Sequence, residues 1–351
     1  MTTDAGNLPH WRGDPRFFEI WFLVVFIPGQ QRALWLRYTL FSPAPGQPGQ
    51  PRATLWAAAF DARAATPRLA LKSILPIEDY VPRQDGTFGI HLGDAEFATG
   101  VCRGCVEQGG HSIAWDLSFD SSADHAERSS IILNPRLPLP THVVHAHEGA
   151  KFRGTYSVDG QTYTIDNAPG LQKHLWGDKR VEELFWLYCP AFEEDSSARI
   201  EVTSVRPSRT LLGNIPFPAL APIWFESASG SYDFYAAWHL FRNVVKLVGP
   251  GKLELSAASL LQSIAVEADC EMNTLVGYVY RDPQGMDLYV AQSDIASCEV
   301  RLFERPHPFA SFRQTQKFTC NHGAAIEFHL PEPLEGVEYI GWDETSLSPR
   351  T

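Results

Sequence analysis

Cysteine is scarce, with six in 351 residues. That is far below a disulfide scaffold, so stability must come from buried apolar surface. Cys102-Arg103-Gly104-Cys105 has the two-residue gap of a zinc half-site and His111 lies nearby, but no second pair follows at a matching spacing. The pair reads as reduced structural thiols beside a glycine turn. Basic charge is also in deficit, 29 Lys and Arg against 41 Asp and Glu, for a net charge of −12. A nucleic-acid or anionic-membrane partner needs clustered cations, and neither is expected. Long apolar runs are missing too: the longest, Ile20 to Ile27, falls well short of the ~18 residues that span a bilayer. The first sixteen residues hold acids, prolines and a tryptophan instead of a basic start and an apolar core. A soluble, cytoplasmic chain is expected. No phosphate loop, dinucleotide fingerprint, Gly-Xaa-Ser-Xaa-Gly elbow or His-Glu-Xaa-Xaa-His is present, which disfavours nucleotide, serine-hydrolase and zincin chemistry.

What the chain has in quantity is aromatic volume, with 21 Phe, 11 Tyr and 10 Trp. A single core stops growing near ~250–300 residues, so two domains are expected. Phe17–Ile27, the turn Pro28-Gly29-Gln30-Gln31 and the alternating Leu34, Leu36, Tyr38 and Leu40 predict a β-hairpin. Its second strand puts Trp35 and Arg37 on the face opposite the aliphatic one, a mixture that suits a lined cavity better than bulk water. A Pro- and Gly-rich loop over 42–52 precedes strand candidates at Ala53–Asp61, Leu69–Leu75, Phe88–Leu92 and Ser112–Phe119.

The Pro-rich Asn134–Pro140 stretch reads as a connector, giving domains at 1–150 and 151–351. Lys151–Val158 and Gln161–Ile165 flank the hairpin turn Asp159-Gly160. The segment 181–205, with Trp186 in its first strand, loosely repeats the outline of the first hairpin, as two copies of one architecture would. Apolar residues at spacings of three and four predict one amphipathic helix over Tyr232–Val248. Strands resume at Lys252–Ser256, Gln262–Ala268, Thr274–Arg281, Asp287–Ala291, Ser297–Phe303, Phe312–Cys320 and Ala324–Leu330. Many short strands without alternating helices predict an all-β fold of antiparallel sandwiches or closed barrels.

Chemistry is densest between Gly170 and Cys189, where His174, Trp176, Asp178, Arg180, Trp186 and Tyr188 fall on or beside strand-like segments. His174 and Trp176 share a face, as do Trp186 and Tyr188. His174 suits proton transfer near neutrality, with Asp178 as a second proton-handling candidate. Equally, Asp178 or a backbone carbonyl would tie the imidazole down as part of a turn. The indoles could flank a ligand or shield a cation, or simply fill a core. Arg37 needs a partner if it points inward, and Glu19 on the paired strand is a candidate. His142, His145 and His147 form a small cluster with no third ligand or carboxylate at a recognisable spacing, so no metal is expected. His239 reads as a packing or helix-surface residue.

The element His174-Leu175-Trp176-Gly177 with Leu184-Phe185-Trp186-Leu187-Tyr188, together with Phe17-Phe18-Glu19-Ile20-Trp21 and Trp35-Leu36-Arg37-Tyr38-Thr39-Leu40, resembles the tandem lipocalin-like superfamily. That group includes carotenoid 1,2-hydratases, AttH-like proteins and, more distantly, tocopherol cyclases and decalin-forming Diels–Alderases. Members commonly carry an acid just before this histidine, where this chain has Lys173. The resemblance implies two calycin-type barrels in tandem, with one or two short helices and an oily ligand in one barrel or between them. It also implies a hydratase, cyclase or isomerase acting on a terpenoid or polyketide-like molecule without an organic cofactor. The expected site is then His174 and Asp178 for protons, with Trp176, Arg180, Trp186, Tyr188, Trp35, Arg37, Trp21 and Glu19 around the ligand. The rival readings are a non-catalytic carrier or stress-related binding protein, and an interaction module with no physiological ligand. A monomer or homodimer is expected.

Overall fold

The computed structural model describes residues 5–120, 140–206, 210–211, 215–216 and 218–345. Strands β1 Phe17–Ile27, β2 Arg32–Ser42, β3 Arg52–Asp61, β4 Arg68–Pro76, β5 Tyr80–Pro82, β6 Gly89–Leu92, β7 Ala95–Ala98, β8 Val101–Gln108, β9 His111–Asp120, β10 Thr141–Val158 and β11 Gln161–Gly177 form the first sheet. The rest of the chain gives β12 Glu183–Cys189, β13 Arg199–Arg206, β14 Thr210–Leu211, β15 Ile215–Pro216, β16 Ile223–Ser227, β17 Gly230–Phe234, β18 Val244–Gly249, β19 Lys252–Ala258, β20 Gln262–Asp269, β21 Val276–Arg281, β22 Asp287–Glu304, β23 Arg313–Leu330 and β24 Tyr339–Ile340. The fold is all-β, with two antiparallel sheets that each coil around their own apolar interior.

The two sheets share a plan. In the first, the long last strand β11 returns to pair with β1, and in the second β23 returns to pair with β12. The loose repeat of the opening hairpin is thus a repeat of topology. Period-two alternation decides what each face does. Leu34, Leu36, Tyr38 and Leu40 of β2 enter the first interior, while Ala33 and Trp35 face outward toward the second sheet. On β12, Phe185, Leu187 and Cys189 enter the second interior, while Trp186 and Tyr188 face outward. Burying one such side chain is worth about 1.5–3 kcal/mol. The first interior is filled by Trp21, Tyr38, Phe88, Phe97, Trp115 and Phe152. A third apolar cluster, with Phe26, Trp35 and Trp56 against Tyr188, Tyr278 and Leu288, joins the two outer faces.

Three expectations need revision. The change of sheet falls between Gly177 and Glu183, not near residue 150. Lys151–Val158 and Gln161–Ile165 complete the first barrel because they pair with β9 and with each other. Residues 134–139 of the expected connector lie outside the described residues. The helix over Tyr232–Val248 shrinks to α1, Ala237–Leu240. Its flanks instead take their hydrogen bonds from β16 and β19 as strand partners, leaving Trp238 and Phe241 more than half exposed. Finally, four separate strand candidates fuse into β22 and β23, whose pairing passes through bulges at Ser293/Ala296 and Ala296/Cys298. All six cysteines are free thiols. Cys102 is buried under the Tyr38 hydroxyl while Cys105 is exposed, so the pair forms no half-site.

Gly170 shows how closely β11 lies on β1. A Cβ there would sit 2.2 Å from the Val24 carbonyl oxygen and 2.6 Å from the Phe152 ring. Gly170→Ala should therefore cost about 1–3 kcal/mol in urea unfolding. An unchanged midpoint would mean the two strands part locally without penalty.

Candidate functional site

His174 is fully buried inside the first barrel, and both of its ring nitrogens are engaged. Nδ1 donates to the Gly6 carbonyl at 2.8 Å and Nε2 shares a hydrogen bond with Glu19 Oε1 at 2.9 Å. Both nitrogens are thereby held by the protein, and neither is turned toward a substrate. Glu19 also accepts from the backbone N–H groups of His10 at 2.7 Å and Trp11 at 3.0 Å. The amides of Asn7 and Gln172 bond reciprocally, and Trp21 Nε1 donates to the Asn7 carbonyl. Trp21 stacks on His174 at 4.7 Å, and Trp176 lies between the rings of His10 at 3.9 Å and His142 at 5.2 Å. Burial, with the His174 charge second, pulls the His10 imidazole down to about 4. Residues 6–11 are thereby pinned across the mouth of the barrel.

Lys173, one residue away, points to the other side of β11, where the two barrels meet. Its ammonium donates to Glu201 of β13 and lies 5.0 Å from the Trp186 ring, while Trp186 Nε1 donates to the same Glu201 oxygen at 2.9 Å. Burial draws the Lys173 amine down to about 7 against the pull of Glu148 and Glu327. Further along the seam, the Tyr280 ring is held between two guanidiniums, Arg37 at 3.8 Å and Arg180 at 4.6 Å. Burial first, and the Arg180 charge next, lowers the Arg37 pKa. Tyr278 stacks on Trp35 at 5.5 Å and donates its hydroxyl to Gln292, whose amide reaches both Asp294 oxygens at 2.8 and 3.1 Å. Burial, then the Glu327 charge, pushes the Asp294 carboxyl up to about 8. Glu327 bonds His329, and these side chains remain 13% and 11% exposed, unlike the fully buried Asp294.

The seam is costly to bury. Removing a charged group from water costs several kcal/mol even after relaxation. Perturbed and buried charged groups cluster at functional sites, which makes the seam the candidate site.

The expected residues divide between these places. His174, Trp176, Trp21 and Glu19 gather in the mouth of the first barrel, and Trp186, Tyr188, Trp35, Arg37 and Arg180 line the seam. Asp178 joins neither group: its half-exposed carboxylate pairs with Arg16 at 3.3 Å. The expected Glu19–Arg37 ion pair is replaced, because the two side chains leave opposite faces of the sheet. Arg37 Nε donates instead to Thr39 Oγ1 at 2.9 Å.

Three solved structures resemble this architecture over 94% of the chain. They are an AttH protein of Nitrosomonas europaea (10% identity, 99% of that chain, TM-score 0.53), kievitone hydratase of Nectria haematococca (12%, 95%, 0.50) and CghA (10%, 92%, 0.52). The chain has the tandem lipocalin-like fold. No family model and no curated protein matches the sequence itself.

Within this tandem fold, sequence reasoning missed Glu148, Glu201, Tyr278, Tyr280, Gln292, Asp294 and Glu327. A signal existed for some. Glu327 and His329 alternate on the otherwise apolar run Ala324-Ala325-Ile326, as Arg37 does on β2. Gln292 and Asp294 were hidden because the bulged middle of β22 reads as a break between two strands.

Proposed function

We propose that this chain is an enzyme of the hydratase, cyclase or isomerase kind, turning over a terpenoid or polyketide-like molecule in the seam between its barrels. The carrying observation is a buried acid, Asp294, within the field of the partly exposed Glu327, beside a cluster of aromatic rings. A carboxyl group kept neutral near pH 7 by burial is a usual means of supplying a proton at that pH. In this reading Glu327, tied to His329, exchanges the proton with the ligand, and Asp294 with Gln292 and Tyr278 positions it. Arg37 and Arg180 hold a ligand oxygen, and Trp35, Trp56, Tyr278 and Tyr280 shield developing positive charge, each cation–π contact being worth about 0.5–2 kcal/mol. The reaction asks for no organic cofactor. The fold shared with a hydratase supports this reading. We place the proton chemistry here in preference to His174, whose nitrogens are committed, and Asp178, which sits at the surface.

The test begins with hydrophobic extracts incubated with the purified chain and the retained compounds identified by mass spectrometry. With a retained compound as substrate, Glu327→Gln should lower kcat by about 10²–10⁴-fold while leaving retention within a few fold. Retention with no turnover by the wild type would favour the carrier reading.

A further inference from the structure

We infer that His145, Glu148 and Glu201 form a binding site for one first-row divalent cation of the zinc and cobalt class. One ligand atom from each lies within 4.8 Å of the others. A tetrahedral ion with ligands ~2.1 Å away needs its donors roughly 3.4 Å apart. His145 Nδ1 lies 3.0 Å from Glu148 Oε1 and 3.3 Å from Glu201 Oε2, two edges of such a figure.

The backbone builds this arrangement deliberately. On a regular strand, residues three apart face opposite ways, but β10 shifts register between Val144 and His147 and again between His147 and Ala150. The double irregularity, with Gly149 at φ +68°, turns His145 and Glu148 to one side. Glu201 arrives from the second barrel. Its Oε1 takes hydrogen bonds from Lys173 and Trp186 Nε1, which orients the carboxylate so that Oε2 faces the other two ligands.

The free valences point the same way. Glu148 and Glu201 are buried, yet Glu148 Oε2 and Glu201 Oε2 make no hydrogen bond among the described residues. A single Nδ1 can satisfy only one of the carboxylates around it. Lys173 bonds Glu201, and Arg199, which pairs with Glu226, acts on Glu148 through its charge. A bound cation would satisfy Glu201 Oε2 directly while taking Glu148 through Oε1, and would balance the charge of both carboxylates. One imidazole with two carboxylates and no thiolate selects zinc, cobalt or manganese over soft ions, and three protein ligands leave a position open for water or a ligand oxygen. The spacing of the three histidines carried no such signal, because the two acids come from a bulge and from a strand in the other barrel.

The full chain, stripped with a chelator and dialysed, should bind about one equivalent of Co(II) or Zn(II) with micromolar or tighter affinity by calorimetry, the Co(II) form showing d–d absorption. His145→Ala and Glu148→Gln should each weaken binding more than about tenfold, while His111→Ala, at an exposed pair with Asp159, should leave it unchanged. If the two ligand variants fail to fold, proton NMR of the Co(II)-loaded wild type decides. A hyperfine-shifted imidazole N–H supports the site, and its absence overturns it. No binding by the wild type, or equal affinity in both folded ligand variants, also overturns it.

Discussion

His174→Ala is expected to lower the unfolding free energy by about 3–5 kcal/mol. The substitution removes both hydrogen bonds of a fully buried ring and a face-to-face contact with Trp21. It also strands the fully buried Glu19, which among the described residues keeps the His10 and Trp11 amides as partners. A buried carboxylate that has lost its partner accounts for most of the cost. Urea unfolding by tryptophan fluorescence measures it directly, and proteolysis near residues 6–11 should accelerate in parallel because Gly6 loses its anchor. A loss under 1 kcal/mol together with abolished turnover would reverse the assignment and make the imidazole a reacting group.

Much of this architecture is legible in the residues. Alternation along β1, β2 and β12 sorts side chains into two faces, so Trp35 with Arg37 and Trp186 with Tyr188 are recognisable as same-face pairs before any coordinates exist, and the structure turns both faces outward. Alternation cannot say what an outward face meets. Grouping His174 with Trp186 and Tyr188 by proximity along the chain joins residues on opposite sides of β11, whereas Lys173, the neighbour that departs from the expected acid, is the residue that reaches Trp186. The acids that complete the seam come from β10, β13, β22 and β23, up to 154 positions from Lys173 in the case of Glu327. Bulges conceal two of these strands, because an inserted residue breaks the period on which the reading depends. The domain boundary failed for a related reason: a hairpin signal at Asp159-Gly160 shows that two strands pair, not which barrel they close.

Asp294 makes the seam sensitive to alkali, and the sign can be worked out. Burial raises its carboxyl from 3.8 to about 8, so the folded state binds this proton more tightly than the unfolded state does. Its contribution is then fully present below about pH 4 and is lost as pH rises through about 8. At about 1.4 kcal/mol per tenfold change in proton affinity, the penalty above pH 8 is at most about 6 kcal/mol, and water entering the seam would reduce it. Lys173 works in the opposite direction. Its amine is lowered from 10.5 to about 7, so its contribution is present above about pH 10.5 and lost as pH falls toward 7. The two trends cross near neutrality, and a single pH profile would blur them. Comparing wild type with Asp294→Asn removes the lysine, which both proteins share. The asparagine variant should gain stability relative to the wild type steadily from about pH 4 to pH 8, by several kcal/mol in total. Urea unfolding at four or five pH values reads that difference. A gap that does not change with pH would show that Asp294 folds already ionised, and would remove the neutral acid on which the proposed proton traffic depends.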